Sequence, residues 1–453
     1  MLAGACAQPP TRRPNVLLIS IDTLRADHLG CYGYERSTSP AIDALAKRGV
    51  RFERSYSQAN QTLPSHLSIL TSLFPAEFQI TRDDGLNPTQ QSTKLRLPGA
   101  ALTLAEVAAA AGYRTGAFTG GGLVAPRYGL DQGFATFEGT RTSTEQGFAT
   151  SLPEFKRWLD QGDAEGSDAP FFAFVHTYDV HDPYHAPPPF DRAFSARRSE
   201  DFVAQEGYVP SAQELRKQLP DPNHEQLQEI LDFYDNGIAY ADRGVSLLET
   251  ILSERGAWDN TMVVLFSDHG EEFQEHGSWG HGPQLYDELL HVPLILRLPG
   301  DARAGELVPE LVRLIDIAPT VAELLDLPVG ADWQGRSLME LVGARGADRP
   351  VLAELSNAAI GTLSLRLGDW KVIDTLSTQR SQLFETHSDP EELLDLAQRE
   401  PARLTSLRAD LRARREALAA GSLPLRAVPM GADAQSLQEF EAELLAKMGY
   451  GGD

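Results

Sequence analysis

Near the start of the chain, residues 15–22 read Asn15-Val16-Leu17-Leu18-Ile19-Ser20-Ile21-Asp22. A short, mostly apolar run that ends in a carboxylate is typical of a buried strand in a parallel sheet. Similar runs over residues 170–175 and 261–267 end at His176 and Asp268. Segments with helical spacing alternate with these runs, at residues 38–49, 102–111 and 223–255. The alternation predicts an α/β fold with a mostly parallel sheet sandwiched by helices.

The charge of the chain limits the classes of partner. Its 453 residues carry a formal net charge of -24, from 64 acidic and 40 basic side chains. Nucleic-acid binding requires a basic surface, so we expect no nucleic-acid partner. An acidic surface also repels anionic substrates at long range, so a site for an anion must be locally positive. A bound cation is the simplest source of that charge.

The first ten residues, Met1 to Pro10, form an unusual lead. They resemble the end of a lipoprotein signal peptide whose charged and apolar parts are missing, with Cys6 as the acylated residue. On this interpretation the true start lies upstream and the protein is periplasmic or tethered to a membrane through Cys6. The alternative is an unstructured N-terminus of a cytoplasmic protein. The sequence has no apolar run of about 18 residues, so we expect no transmembrane helix.

The character of the sequence changes after residue 345. Residues 363–373 and 381–384 are predicted to form short strands of a small antiparallel sheet, and residues 401–420 a charged amphipathic helix. We therefore expect four parts: a lead over residues 1–13, a catalytic domain over residues 14–345, a C-terminal α+β subdomain over residues 346–420, and a tail over residues 421–453.

Three side chains with metal-binding or acid–base chemistry follow predicted strands: Asp22, His176 and Asp268. Function in parallel sheets gathers beyond the carboxyl ends of the strands, so these residues are expected to lie close together. His269 adds an imidazole next to Asp268, and His281 stands between two glycines that allow close approach to a ligand. The pattern favours a shared metal site, and the alternative is that these histidines are ordinary loop residues.

A possible nucleophile occurs in the segment Asn60-Gln61-Thr62-Leu63-Pro64-Ser65-His66, just before a helix predicted over residues 67–73. The positive end of a helix and a metal ion would both favour an alkoxide and the anion that it attacks. Alternatively, Thr62 and Ser65 merely cap the helix. The two functions are compatible, with Ser65 as the cap and Thr62 as the nucleophile.

Residues 176–185 hold three histidines and two aspartates in His176-Thr177-Tyr178-Asp179-Val180-His181-Asp182-Pro183-Tyr184-His185. This composition fits a second metal site or a set of imidazoles that contact phosphate or sulfate. The alternative is a polar surface loop.

Taken in order, these motifs resemble the sulfatases and their relatives in the alkaline-phosphatase superfamily, over about residues 14–400. The resemblance is carried by Pro14 to Asp22, Thr62-Leu63-Pro64-Ser65-His66, His181-Asp182-Pro183-Tyr184, Ser267-Asp268-His269-Gly270-Glu271, Gly280-His281-Gly282 and Asp316-Ile317-Ala318-Pro319-Thr320. It implies an alkaline-phosphatase-like fold and hydrolysis of anionic esters.

The resemblance also implies functions for single residues. The metal ligands would be Asp22, Thr62, Asp268 and His269, and Thr62 would also be the nucleophile. The other catalytic residues would be His181, which matches a substrate-binding histidine, and His281, which matches a lysine or histidine that assists the leaving group or holds the anion. Three further residues are predicted to contact substrate: His66, His176 and Arg25.

The departures from the family pattern carry information about the chemistry. Hydrolytic sulfatases use a formylglycine made from Cys or Ser, whereas this chain has Thr62, whose oxidation would give a ketone. No formylglycine is therefore expected. His269 replaces an asparagine that is common in calcium-binding sulfatases. A ligand set of two aspartates, one histidine and one threonine favours Zn or Mn, with Ca or Mg as alternatives.

We therefore predict a metal-dependent hydrolase that prefers phosphate esters, including diesters, to sulfate esters. Its substrate would be an anionic ester of a small molecule, a glycan or a lipid. Three alternatives remain open at this stage: a sulfuric ester hydrolase, a transferase of phosphoryl-linked headgroups, and an inactive pseudo-sulfatase that binds glycans.

Overall fold

The computed structural model describes residues 13–78, 81–82, 93–94, 96–139, 147–194, 209–282, 284–355 and 361–420. The strands are β1 (Asn15–Ile21), β2 (Val50–Tyr56), β3 (Thr81–Arg82), β4 (Thr93–Lys94), β5 (Arg114–Thr119), β6 (Thr136–Gly139), β7 (Phe171–Thr177), β8 (Thr261–Phe266), β9 (Glu272–Phe273), β10 (Trp279–Gly280), β11 (Leu294–Arg297), β12 (Glu306–Arg313), β13 (Val351–Glu354), β14 (Thr362–Leu367), β15 (Trp370–Thr375) and β16 (Arg380–Glu385). The helices are α1 (Pro40–Lys47), α2 (Thr62–Thr71), α3 (Leu104–Ala110), α4 (Phe148–Ala164), α5 (Ala212–Gln218), α6 (His224–Ser253), α7 (Asp287–Leu290), α8 (Ile317–Leu324) and α9 (Pro401–Ala420).

The main sheet has eight strands in the order β12-β2-β11-β8-β1-β7-β5-β6. Strand β1 lies near its centre, parallel to β7 on one side and to β8 on the other. Among the described strands of this sheet, β11 runs antiparallel to both of its neighbours. The predicted fold class, a mostly parallel sheet with helices, is confirmed.

Both faces of the sheet are buried, which explains the uninterrupted apolar run in β1. Val16 and Leu18 pack into one hydrophobic core, while Leu17 and Ile19 pack into a second core on the other face. Successive side chains of a strand point to opposite faces, so a strand covered on both faces must be apolar throughout. Helices α2, α3 and α8 contribute to the first core and α1, α4 and α6 to the second.

A second, antiparallel sheet is formed by β13-β14-β15-β16 near the end of the described chain. Helix α9 packs on it through Leu407 and Leu411, which share a core with Leu365 and Val372. Residues 363–373 form two strands, because the chain turns at Gly368, whose φ of 59° suits glycine. The predicted helix over residues 401–420 is present as α9. The tail from residue 421 and the lead with Cys6 lie outside the described residues.

None of the helices in the described part of the chain combines the length and the apolarity that a membrane span requires.

The short helix α7 supports the loop that follows β8. The backbone N–H of Gly270 donates to Leu289 at 2.8 Å, and that of Glu271 donates to Glu288 at 3.1 Å. A Cβ atom at position 270 would lie 1.9 Å from the carbonyl oxygen of Glu288. Glycine at this position therefore allows the loop to lie directly on the backbone of α7.

Candidate metal and catalytic site

Three potential metal ligands from distant parts of the sequence meet at the carboxyl ends of neighbouring strands. Asp22 directly follows β1, whereas Asp268 and His269 follow the adjacent strand β8. One ligand atom from each residue lies within 4.8 Å of the others, and all three residues are fully buried. The structure thus brings together three of the four side chains that the sequence predicts as metal ligands.

The fit of this group to a cation can be judged from its unsatisfied oxygens. Asp22 Oδ1 and Asp268 Oδ2 are buried without a hydrogen-bond partner. Burial raises the pKa of Asp22 to about 7, and burial together with the charge of Asp22 raises the pKa of Asp268 to about 6. Two buried carboxylates that are costly to charge are the environment that a divalent cation stabilises.

His269 presents the correct nitrogen to this group. Its Nδ1 lies 2.9 Å from the carbonyl oxygen of Gly270, which can only accept, so Nδ1 carries the proton. Its Nε2 therefore offers a lone pair, 3.5 Å from Asp268 Oδ2 and 3.9 Å from Asp22 Oδ1. A backbone carbonyl that fixes the tautomer in this way is a usual feature of metal-ligating histidines.

The backbone between the two strand ends is also fixed. Thr23 has a φ of 58°, an uncommon value for a β-branched residue. Its N–H donates to Asp268 Oδ1 at 3.3 Å, and its carbonyl accepts from the hydroxyl of Tyr234 at 2.7 Å. These contacts tie the turn after β1 to the turn after β8.

Thr62 lies beside the same group, at the first position of α2. Thr62 is fully buried, and its Oγ1 lies 3.4 Å from His269 Nε2. The preceding residue, Gln61, is the N-cap and has an extended backbone, with φ of -140° and ψ of 144°. The threonine hydroxyl therefore stands at the positive end of a helix and next to the three potential ligands.

The prediction for the start of this helix was wrong. Helix α2 begins at Thr62, not at residue 67, because a proline is tolerated in the first turn and Pro64 does not interrupt it. Ser65 is therefore inside the helix and is not its cap. Its hydroxyl donates to the carbonyl of Asp268 at 2.7 Å, which fastens the helix to the metal-binding loop.

His66 and His176 flank the acids and contact the protein on both ring nitrogens. His66 Nδ1 donates to the carbonyl of Thr62 at 2.7 Å, and Nε2 accepts from Ser20 Oγ at 2.9 Å. His176 Nε2 lies 3.3 Å from Asp22 Oδ2, and its Nδ1 lies 3.4 Å from the backbone nitrogen of Gly120. Burial lowers the pKa of His66 to about 4 and that of His176 to about 3. Both rings are neutral supports of the site here, and their contact with substrate stays a prediction.

Arg25 is also engaged by the protein. Its guanidinium pairs with Asp27 and Glu275, and Nη1 donates to the carbonyl of Glu271 at 3.0 Å. These contacts hold the loop after β8 and do not favour the predicted contact with substrate, which stays untested.

His181 and His281 form a pair of imidazoles next to the metal group. Their ring centroids are 5.0 Å apart, and that of His281 is 4.6 Å from that of His269. Burial lowers the pKa of His181, but the charges of Asp182, Asp22 and Glu271 outweigh this effect and raise it to about 9. Burial and the charge of His181 lower the pKa of His281 to about 3. The pKa values of the two neighbouring imidazoles are therefore shifted in opposite directions.

Two other polar residues of segment 176–185, Asp179 and His185, do not join this group. Asp179 accepts from the hydroxyl of Thr177 and from the N–H of Phe148, and His185 is exposed. Within the described part of the chain, this segment supplies no set of three side chains with the spacing of a metal site.

Sequence reasoning missed Glu271, which follows the metal-ligand motif and is fully buried. Its Oε1 accepts from His281 Nδ1 at 2.8 Å. The signal was available, since an acid two residues after a ligand is well placed to support the same site. Its partner, however, was not evident without the fold.

Comparison with known proteins gives two family matches. Residues 14–327 match the family described as Sulfatase, and residues 274–420 match the one described as N-sulphoglucosamine sulphohydrolase, C-terminal. The relatives include Arylsulfatase A of Homo sapiens, 27% identical over 86% of this chain and 80% of the relative. Choline-sulfatase of Rhizobium meliloti (strain 1021) is 25% identical over 89% of this chain and 87% of its own.

Solved structures with the same fold include two whose TM-scores and sequence identities to this chain are similar. The phosphonate monoester hydrolase of Agrobacterium radiobacter has a TM-score of 0.69 at 23% identity, covering 89% of this chain and 96% of its own. A 2-O GAG sulfatase has a TM-score of 0.72 at 21% identity, covering 92% of this chain and 95% of its own. Likeness at these identities establishes a shared fold.

Proposed function

This chain belongs to the sulfatase family and is a hydrolase of anionic esters, and from this premise we propose that Thr62 is its nucleophile and that it prefers phosphate esters, including diesters, to sulfate esters. The observation that carries the proposal is the position of Thr62 Oγ1, buried at the start of α2 and 3.4 Å from His269 Nε2. A nucleophile at this position lies next to His269, one of the proposed metal ligands.

The side-chain chemistry of threonine supports direct attack by its oxygen. Formylglycine is an aldehyde, and the secondary alcohol of Thr62 could only be oxidised to a ketone. An alkoxide attacking phosphorus needs no such conversion, and threonine can supply it if a positive charge stands beside it.

The proposed ligands of a divalent cation are Asp22, Asp268, His269 and Thr62, with Zn or Mn favoured by the imidazole. When bound, the cation would supply Lewis-acid stabilisation of the negative charge on oxygen. His176 and His66 would hold Asp22 and the first turn of α2 in place, through the contacts described above.

The reaction would proceed in two displacements at phosphorus. In the first, Thr62 Oγ1 bonds to phosphorus and the bond to the ester oxygen breaks. One imidazole of the His181–His281 pair takes up the hydroxyl proton of Thr62, and the other protonates the departing oxygen. In the second, water gives its hydroxyl to phosphorus and its proton to the imidazole that protonated the ester oxygen, while the other imidazole returns its proton to Oγ1 as the bond between Oγ1 and phosphorus breaks. A monoester thus yields phosphate and an alcohol.

Sulfate-ester hydrolysis is the second candidate, because several relatives carry sulfatase names, including an arylsulfatase and a choline-sulfatase. Solved structures of the same fold include a phosphonate monoester hydrolase and a sulfatase, so the fold is compatible with both reactions. A panel of one aryl phosphate, one phosphate diester, one phosphonate monoester and one aryl sulfate, each with Zn and with Mn, separates these candidates. We expect the highest kcat/KM on a phosphorus ester. Turnover of the sulfate alone would overturn the preference.

The nucleophile is tested by Thr62→Ala, with Thr71→Ala as the matched control. Thr71 is a buried threonine at the other end of α2, and its hydroxyl donates to the carbonyl of Leu67. We expect kcat to fall by at least about 10³-fold in Thr62→Ala, as for loss of a nucleophile. Thr71→Ala should retain kcat. Equal activity of Thr62→Ala and wild type would remove Thr62 from the mechanism, and a metal-free, inert wild type would favour a glycan-binding protein.

A further inference from the structure

Glu271 lies directly opposite His281 across a small two-stranded sheet. Strands β9 and β10 pair antiparallel, with Gly280 opposite Glu272 and Trp279 opposite Phe273. Continued by one residue, this register places Glu271 across from His281, at the distance where facing side chains interact. The observed contact of 2.8 Å between Glu271 Oε1 and His281 Nδ1 fulfils this arrangement.

We propose that Glu271 is a positioning residue that fixes the orientation and the tautomer of the His281 ring. The inference rests on the proposed function, in which His281 is one of two imidazoles that transfer protons. An ionised Glu271 carboxylate only accepts hydrogen bonds, and with it His281 Nδ1 carries the proton in this contact. Proton transfer in the reaction then takes place at Nε2 of His281.

The backbone of Glu271 is fixed on both sides, which makes the carboxylate a rigid support. Its N–H donates to the carbonyl of Glu288 at 3.1 Å, and its carbonyl accepts from Arg25 Nη1 at 3.0 Å. Arg25 in turn pairs with Asp27 and Glu275. His281 is flanked in the sequence by Gly280 and Gly282. Because glycine is flexible, the backbone at His281 restrains its side chain less than the backbone at Glu271 does.

The two imidazoles of the pair are held differently. His181 Nδ1 donates to the backbone carbonyl of Asp182 at 2.6 Å, a contact that survives replacement of that side chain. His281 Nδ1 depends on the side chain of Glu271, so a single substitution tests its tautomer. The neighbouring acid Glu272 offers a matched control. It is also fully buried, and its Oε1 accepts from the N–H of Ser278 at 2.9 Å.

The experiment compares Glu271→Gln and Glu272→Gln in the full-length protein. We expect Glu271→Gln to lower kcat by about 10 to 100-fold, the usual range for partners that orient active-site histidines. KM should stay within about twofold, because the proposed ligands and nucleophile are unchanged. Glu272→Gln should keep kcat within about twofold, and both variants should unfold at similar temperatures. A loss of kcat in Glu271→Gln no larger than in Glu272→Gln would overturn the proposal.

A second measurement does not depend on turnover. Nitrogen–proton correlation spectra of the histidine rings report the tautomer, and His281→Gln identifies the signals of His281. In the wild type at neutral pH, we expect the ring proton of His281 on Nδ1. In Glu271→Gln, but not in Glu272→Gln, we expect a change of tautomer or of the chemical shift of the Nδ1 proton. A proton on Nε2 in the wild type would overturn the proposal. If no ester is turned over, the proposed function fails, and these spectra alone decide the inference.

Discussion

Two groups of buried acids in this molecule are neutralised in different ways. The metal-site acids are Asp22 and Asp268, and the ion pairs that the structure shows for them involve only histidines. The ion-paired acids are Asp287 and Glu392. Lys371 Nζ lies 2.7 Å from Asp287 Oδ1 and 2.9 Å from Glu392 Oε2.

The pKa shifts of Asp287 and Asp22 differ in the same way, although burial and the charge of Asp287 raise the pKa of Glu392 despite its contact with Lys371. Burial raises the pKa of Asp287, but the charges of Arg366 and Lys371 outweigh it and hold the pKa well below its usual range. Among the described residues Asp22 pairs with no lysine or arginine, and burial raises its pKa to about 7 although the charge of His181 opposes this shift. Removing a buried acid that is paired with a permanent cation destabilises the fold, because the cation is then left buried without its partner. In the described part of the chain, the two neighbouring acids Asp22 and Asp268 have only histidines as ion-pair partners, and such a pair of buried carboxylates can be stabilised by a bound divalent cation.

The largest expected effect comes from Asp22→Asn. Loss of this ligand should lower kcat/KM by at least about 10⁴-fold, because the several kcal/mol of charge stabilisation from a metal would be lost. The metal-free variant should be no less stable than the metal-free wild type, since the substitution removes a buried charge. Metal content by mass spectrometry, steady-state kinetics and denaturant unfolding measure these quantities.

A matched control is Asp242→Asn. Asp242 is a buried acid that accepts the N–H groups of Ala41 and Ile42 at the start of α1. Its replacement should leave metal content and kcat unchanged. Full metal content in Asp22→Asn would break the distinction between the two groups of acids.

The next effect concerns stability and should have the opposite sign to that of Asp22→Asn. Asp287→Asn leaves the buried cations Arg366 and Lys371 without their shared carboxylate. We expect the free energy of unfolding to fall by about 3 to 5 kcal/mol, as when one partner of a buried ion pair is removed. Denaturant unfolding checks this value, with Lys156→Met at an exposed ion pair as a neutral control. A loss as small as that of the control would show that the pairing of Asp287 with the C-terminal sheet does not stabilise the protein.

The smallest effect should follow removal of metal from the wild type. At a free metal concentration of about 100 times Kd, chelation should lower the free energy of unfolding by about 2.7 kcal/mol. The same chelator should leave the stability of Asp22→Asn unchanged. A wild type that is equally stable with and without metal would contradict the assignment of these acids to a cation.

Much of the fold and of the metal group was predictable, because both depend on short local patterns. The apolar runs of β1, β7 and β8 predict buried strands, and parallel strand ends meet at one edge, so Asp22 and Asp268 were expected to converge. The start of α2 was missed because Pro64 was treated as preceding the helix, whereas it fits in the first turn.

Other features of the site depend on contacts that the sequence does not encode locally. Strands β9 and β10 have two residues each, too few for a periodic pattern, so the pairing of Glu271 with His281 was invisible. The functions of His66 and His176 depend on which atom faces each ring nitrogen. Only the packed structure shows that Ser20 and Asp22 stand at those positions.

Helix α7 has a consequence for any attempt to shorten this protein. This four-residue helix begins at Asp287, whose carboxylate forms ion pairs with Arg366 and Lys371 of the C-terminal sheet. The carbonyl groups of Glu288 and Leu289 in the same helix accept two backbone hydrogen bonds from the loop that carries His269. A chain cut ahead of β13 would keep every proposed catalytic side chain and α7 itself, but would lose Arg366 and Lys371, which pair with Asp287 of this helix. The minimal enzyme therefore includes a sheet that contributes no reacting atom.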